Sequence, residues 1–535
     1  MIAPLNEAQQ QWVDETFATL TTEEKVAQLL IPNLGAYEYL TAVDTFLHHR
    51  MLGGIFVGGA TAERHRQEIS RLQARCRIPM VVAADLESGA GQMVHGGVRF
   101  PDPLAVAAAN DVKLAALMGQ ATAREGRHAG IHWSFAPIVD VNVNPDNPIA
   151  NTRSLGDDPE RVARLAQAII GGMQAHGFAA CAKHFPGDGT DEVDHHVATS
   201  ANTLSQEAWH NVSGFAFRKA IDAGVWSIMV GHIGLPAWDQ ERDVRGVYRP
   251  ASINHTLVTG LLRNTLGFEG LIVTDDMNMA GVAGYTPRRD RTVACIVAGC
   301  DMLLFPKLPE DYTTLLEAVQ TGSLPTSRLD HAVHRILAFK ARLQLHTGVL
   351  FGPAIDVHER QLFEEASRQI ATGAIVQVRD LHGTLPLKHL QPGAKVLTIT
   401  LASDYQDVPE VDHALKARGY QVHHAYNPDD FRFGDRTGAY EAVFVNFVFK
   451  ATWGVQSVHS VGTQNRIFIG GFYSDHPCVV FTSFGSPYHL RMFNVLPNYL
   501  NVHSSSPESQ RAAVNVWFGD VEARGTSPVA HLVRT

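Results

Sequence analysis

Short apolar runs rich in β-branched residues recur through the first two thirds of the chain. Each closes on polar residues or glycine and is followed by a stretch of helical periodicity. Eight runs read as strands: Leu29 to Leu34, Gly53 to Gly58, Pro79 to Asp85, His132 to Asp140, Phe178 to His184, Val225 to His232, Gly270 to Asp275 and Asp301 to Phe305. Between them, Asp111 to Arg127, Asp158 to His176, Ser205 to Ala223 and Asn254 to Leu266 read as helices, opened by Asp, Ser or Asn in capping position. Near-continuous apolar strands are expected where both faces of a sheet are covered, so this alternation predicts an α/β fold, a (β/α)8 TIM-like barrel over residues 1–350. A doubly wound open sheet is the competing architecture. The barrel is favoured because Asp85 and Glu87, Asp140, Lys183 and His184, His232, and Asp275 and Asp276 fall at the carboxyl ends of five different runs, where barrel enzymes assemble their sites.

A linker and helix occupy residues 351–373, and a second strand-rich region follows over 374–535. Its strands are expected at Ala374 to Val378, Val396 to Leu401, Gln421 to Tyr426, Ala442 to Phe449 and Cys478 to Ser483, with a helix at Val411 to Arg418. This pattern predicts a smaller α/β sandwich domain. It carries no recognisable catalytic motif, which leaves scaffold, homodimer-contact and aglycone-side roles open.

Composition narrows the class of partner. The 535 residues carry a net charge of −10, which provides no basic field for nucleic acid or anionic lipid. No run of about 18 apolar residues predicts a membrane span, and the first residues, MIAPLNEAQQQWVDETF, lack the charged start and apolar core of a secretion signal. Cys76, Cys181, Cys295, Cys300 and Cys478 are scattered and without C-x-x-C spacing, so a disulfide framework or zinc ribbon is not expected and a cytoplasmic setting is.

Two clusters carry candidate chemistry. KHFPGDGTDEVDHH, Lys183 to His196, packs lysine, histidines and carboxylates into a segment that Pro186, Gly187 and Gly189 make a loop. A solvated or ion-paired surface loop would look the same. GLIVTDDMNM sets Asp275 and Asp276 directly after a strand, where an aspartate commonly caps the next helix. In a barrel, the first could project into the mouth while the second fixes local backbone.

These clusters, with LTTEEKVAQLL, GGIFVGG, ADLESG, APIVDVNVNPDNPIANTRSLGDDPE, SIMVGHIGLP and the tail motifs GTLPL, FTSFGSPYHL and FGDVEARGTSPV, resemble in order the landmarks of glycoside hydrolase family 3. The Asp194-x-His196 ending is similar to the β-N-acetylglucosaminidase branch. The resemblance implies an exo-acting, retaining β-N-acetylhexosaminidase without metal or organic cofactor. It implies Asp275 as catalytic nucleophile and His196, oriented by Asp194, as general acid/base. Asp85, Arg153, Lys183 and His184 would hold the hydroxyls of a terminal N-acetylglucosamine, and Asp276 would be structural. The chemistry is coherent: retention needs a carboxylate to form a glycosyl intermediate and a second group to protonate the leaving oxygen, and a histidine with a carboxylate partner can be that group. The two-residue spacing requires a bent loop.

The loop departs from the branch pattern. Asp188 stands where Pro-Gly-His-Gly is usual, His195 replaces a small residue, and Asp85-Leu86-Glu87-Ser88-Gly89 replaces the usual Glu-Gly-Gly continuation. A β-glucosidase or dual-specificity enzyme therefore stays open, as does phosphate as acceptor, since a neutral histidine base does not repel an anion. A metal-dependent phosphoesterase drawing on His184, Asp188, Asp191, Asp194, His195 and His196 is the alternative of a different class. A non-catalytic sugar-binding protein is another. The pairs His48–His49 and His423–His424 read as surface or edge-strand residues, Trp133, Trp226 and Trp453 as core, and Cys181 as a small buried hydrophobe.

Overall fold

The structure, a computed structural model, describes residues 2–47, 51–403, 406–430, 432–454, 457–530 and 532. The pair His48–His49 lies outside the described residues. The chain divides into two compact units: residues 1–99, 115–141 and 163–363 form the first, and residues 100–114, 142–162 and 364–535 the second.

Eight strands of the first unit coincide with the eight predicted runs: β1 (Leu30–Ile31), β2 (Gly54–Phe56), β3 (Val81–Ala84), β4 (Trp133–Ser134), β5 (Cys181–Phe185), β6 (Ser227–Val230), β7 (Leu271–Asp276) and β8 (Met302–Leu304). They form two parallel sheets, ordered β1-β8-β7-β6-β5 and β2-β3-β4. Single parallel bridges, Asn33 to Phe56 and Trp133 to Ala179, connect residues beside β1 with β2 and β4 with residues leading into β5. Six of the strands stop before the carboxyl end of their run, which leaves the ladder and becomes loop, whereas β5 and β7 keep the ladder one residue past it, to Phe185 and Asp276.

Large apolar side chains from these strands meet one another. Trp133 and Phe135 stack edge to face at 4.8 Å, Phe56 lies 5.9 Å from Phe135, and the Trp133 indole donates to Ser227 Oγ at 2.7 Å. Trp133 and Cys181 are core residues, as expected. Trp226 is half-buried beneath the Arg342 guanidinium. At the amino end of β8, Asp301 is fully buried and takes Arg263 at 2.5 Å, Arg328 at 2.9 Å and Arg335 at 3.3 Å. That cluster ties helices to the strand end remote from Asp275.

Three of the predicted helices match closely in extent: Val112–Ala129, Pro159–Gln174, and Thr256–Thr265, which is wound as a π-helix. The fourth is broken into Gln206–Asn211 and Ser213–Asp222. The break has a tertiary cause in the Lys183–His196 loop. Ser213 packs so closely on Gly187 that a Cβ there would come within 2.6 Å, and Asn202 donates to both Gly187 O and Ser213 Oγ.

The second unit is built on six strands: β9 (Val376–Asp380), β10 (Lys395–Ala402), β11 (Gln421–Tyr426), β12 (Ala442–Val448), β13 (Val479–Ser483) and β14 (Asn498–Asn501), in the order β9-β14-β13-β12-β10-β11. Only the β9–β14 pairing is antiparallel. β14 lies outside the five predicted strands, because its residues, NYLN, carry a polar group at each end. Alternate residues feed two apolar clusters, Val396 and Phe444 into one and Leu397, Val443 and Val445 into the other, so both faces of the sheet are covered. His423 and His424 lie on the edge strand β11, as expected. Trp453 departs from the core reading: it is 74% exposed, in a turn that belongs to no strand or helix and turns no face to a core.

Candidate active site

The carboxyl ends of β3, β5 and β7 and the loop after β5 supply the candidate residues of the first unit. β5 ends in Lys183 and His184, both buried, joined by a cis peptide. The Lys183 ammonium lies 3.1 Å from Asp85 Oδ1 and 2.7 Å from Glu87 Oε1. Asp85 is the more open of the two carboxylates, its side chain 35% exposed against 9% for Glu87. The His184 imidazole meets Asp140 Oδ2 through Nδ1 at 2.7 Å, and Asp140 also accepts the backbone N–H groups of His184 and Asp188. A fully buried carboxylate thus fixes both the ring of His184 and the start of the loop.

Asp275, at the end of β7, is almost entirely buried. Its Oδ1 accepts the N–H of Asp276, while the Asp276 side chain turns back to accept the N–H and amide of Asn278. Burial raises the Asp275 carboxyl, but the imidazoles of His184, His195, His232 and His196 outweigh it and hold the group well below the usual carboxylate range. Burial instead pushes the neighbouring Asp276 up. The surroundings therefore shift the two adjacent aspartates in opposite directions.

The loop after β5 bends sharply. Asp194 Oδ1 accepts the backbone N–H of His196 at 2.8 Å and meets His196 Nδ1 at 2.7 Å, so one oxygen closes the turn and orients the ring. The His196 ring remains 25% exposed. Its backbone carbonyl accepts Ala280 N–H and that of His195 accepts Gly281 N–H, fastening the loop to the segment that follows β7. Gly281 has no room for a side chain, since a Cβ would meet His195 O at 2.5 Å.

His195 is fully buried between two carboxylates. Its Nδ1 faces Asp188 Oδ2 at 3.2 Å, within ion-pair distance but outside hydrogen-bond geometry, and its Nε2 lies 3.8 Å from Asp275 Oδ2. Burial pushes this imidazole well below the ordinary histidine range, and does the same to His232. His232 binds Ser252 Oγ through Nδ1 and the Asp276 carbonyl through Nε2.

Among the candidates of the sequence, Asp85 pairs with Lys183, Asp194 with His196, and His184 comes close to Asp275. Arg153 lies in the second unit, in the short turn Asn151–Arg153, donating to Ile149 O. The six-residue metal set drawn from the loop is not gathered: Asp191 accepts backbone N–H groups of Val193 and Ala201, and Asp194 is turned to His196. Asp140, Glu87 and His232 complete the constellation without having been assigned roles, and His195, named from the sequence among the ligands of the metal reading, lies with them. The signal for the first three was position, at or just beyond the ends of apolar runs.

Comparison with known proteins bears on this constellation. Residues 21–339 match the glycosyl hydrolase family 3 N-terminal domain. A β-N-acetylglucosaminidase/β-glucosidase of Cellulomonas fimi is 38% identical over 388 residues, covering 70% of this chain and 68% of the relative. A β-glucoside phosphorylase, BglX, solved bound to 2FGlc, superposes with a TM-score of 0.89 at 30% identity, over 98% of this chain and 97% of its own. A family 3 β-N-acetylglucosaminidase from Paenibacillus sp. str. FPU-7 superposes with a TM-score of 0.83 at 25% identity, over 97% and 100% of the two chains.

Proposed function

We propose, from the premise that the chain belongs to glycosyl hydrolase family 3, that it is an exo-acting, retaining β-N-acetylhexosaminidase releasing terminal N-acetylglucosamine. The observation that carries this reading is a buried Asp275 at the end of β7, together with an accessible His196 that Asp194 orients in the loop fastened to the segment after β7. In the first step the Asp275 carboxylate attacks the anomeric carbon from one face of the sugar. His196, held through Nδ1 by Asp194, gives its Nε2 proton to the leaving oxygen. A covalent glycosyl-aspartate results, and neutral His196 then takes a proton from the incoming water, which displaces the aspartate. Lys183, Asp85 and His184 offer a cation, an acceptor and an oriented ring for sugar hydroxyls.

The fold proposed for the catalytic unit is a (β/α)8 barrel, supported by parallel pairing in chain order and by the two bridges that connect its sheets. The sugar site would then sit at the carboxyl mouth. The remaining unit would be an α/β sandwich, supported by a sheet with apolar clusters on both faces. A reducing cytoplasm suits the five free thiols.

A second reading is a β-glucosidase or glycoside phosphorylase. The likeness to the β-glucoside phosphorylase along nearly the whole chain favours it, as does Asp188 in the loop. Initial rates on 4-nitrophenyl N-acetyl-β-glucosaminide and 4-nitrophenyl β-glucoside, with and without phosphate, test both readings. Preference for the first sugar with free N-acetylglucosamine as product supports the main one. Preference for glucoside with glucose 1-phosphate as product replaces it, and inactivity on both sugars removes both.

A further inference from the structure

We propose that His184, His195 and Asp275 form a binding site for a divalent transition ion of the zinc type, and that the bound ion masks Asp275. The masking rests on the function proposed above; the binding does not. One ligand atom from each residue lies within 4.8 Å of the other two, and all three residues are buried. Among the described residues this is the one such grouping of histidine, cysteine and carboxylate side chains.

Two independent features point to a cation. His195 Nε2 and Asp275 Oδ2 are buried polar atoms with no hydrogen-bond partner among the described residues, and they face each other at 3.8 Å. Tetrahedral zinc places its ligand atoms about 3.3 Å apart, so modest side-chain rotation would close the shell. Each histidine also presents its other nitrogen to a buried carboxylate, His184 Nδ1 to Asp140 at 2.7 Å and His195 Nδ1 to Asp188 at 3.2 Å. The first is the hydrogen-bonded carboxylate–histidine arrangement that orients metal-bound imidazoles and raises their basicity, and the second sets a carboxylate beside the other ring.

Two nitrogens and one oxygen form a borderline donor set, suited to zinc or copper(II) rather than to calcium or magnesium, which take oxygen shells. An ion here would neutralise the carboxylate proposed to attack the sugar and would occupy the space beside it. Binding would therefore exclude substrate, with no redox change and no bond made to the sugar.

Equilibrium dialysis of the full chain against Zn²⁺ is expected to leave a single saturable ion per chain that Asp275→Asn loses. Loss of a ligand weakens binding at least as much as loss of an outer-shell partner, about tenfold or more. The surface double substitution His423→Ala/His424→Ala should keep the ion. His195→Gln, checked with Asp275→Asn for an unchanged melting transition, guards against a folding defect in either variant. In the aryl-glycoside assay Zn²⁺ should raise KM with kcat unchanged, and EDTA should reverse it. Equal zinc uptake by Asp275→Asn, or inhibition that lowers kcat alone, overturns the proposal. Zinc uptake by a chain inactive on both sugars leaves the ion site standing and removes only the glycosidase reading.

Discussion

Asp194 uses one oxygen twice: Oδ1 accepts the backbone N–H of His196 at 2.8 Å and meets the Nδ1 of the same residue at 2.7 Å. The carboxylate therefore sets the turn of the chain and the rotation of the ring together. Two residues of separation suffice because the backbone folds back on the side chain. A histidine so held presents Nε2 for proton transfer.

Replacing that histidine separates its roles. His196→Ala should lower kcat/KM on substrates with poor leaving groups by about 10²- to 10⁴-fold, and on 4-nitrophenyl glycosides by much less, since a good leaving group needs little protonation. Asp194→Asn should show the same ordering more weakly. Equal losses on both substrate types would remove the acid role from His196.

Asp275→Asn should cost at least about 10⁴-fold in kcat on every glycoside, activated or not, because no covalent intermediate can form. Mass spectrometry of the parent chain quenched with a slow 2-fluoro sugar should find the label on the peptide containing Asp275. A label elsewhere would reassign the nucleophile.

Asp301 tests stability apart from chemistry. Asp301→Ala leaves Arg263, Arg328 and Arg335 without their shared buried carboxylate and should cost roughly 3–5 kcal/mol in denaturant unfolding. The folded fraction should keep its KM, since the residue sits at the amino end of its strand. A changed KM with unchanged stability would contradict this division.

Lys340 is buried, bonded to Gln28 Oε1, and burial pushes its ammonium down to about 7. Between that value and its ordinary value near 10.5 the unfolded chain holds a proton that the folded chain lacks, so this group makes stability rise with pH across that window. Below about pH 7 both states are protonated and the penalty stays constant. Lys340→Met should therefore raise the melting temperature more at pH 6 than at pH 9. An equal gain at both would show that the amine keeps its ordinary ionisation.

The strands of the first unit were legible because each is an apolar run bounded by breakers, and the catalytic candidates because polar residues recur where such runs end. β14 was not, since NYLN lacks an apolar run, and neither was the break at Val212, since nothing in Ser205 to Ala223 announces that Ser213 packs on Gly187. Trp453 was misread because an isolated tryptophan in a turn carries no periodicity to say which side it faces.

The sequence by itself determined the alternation of strands and helices, the loop that bears His196 and the adjacent aspartates after β7, because these depend on local pattern. Tertiary structure decided which charges meet. His195 and Asp188 stand seven positions apart and Asp275 eighty positions beyond, yet the imidazole lies between the two carboxylates. The physical reason is burial: only the folded chain removes water from these groups and brings distant residues around them, so only there are Asp275 and Asp276 shifted in opposite directions.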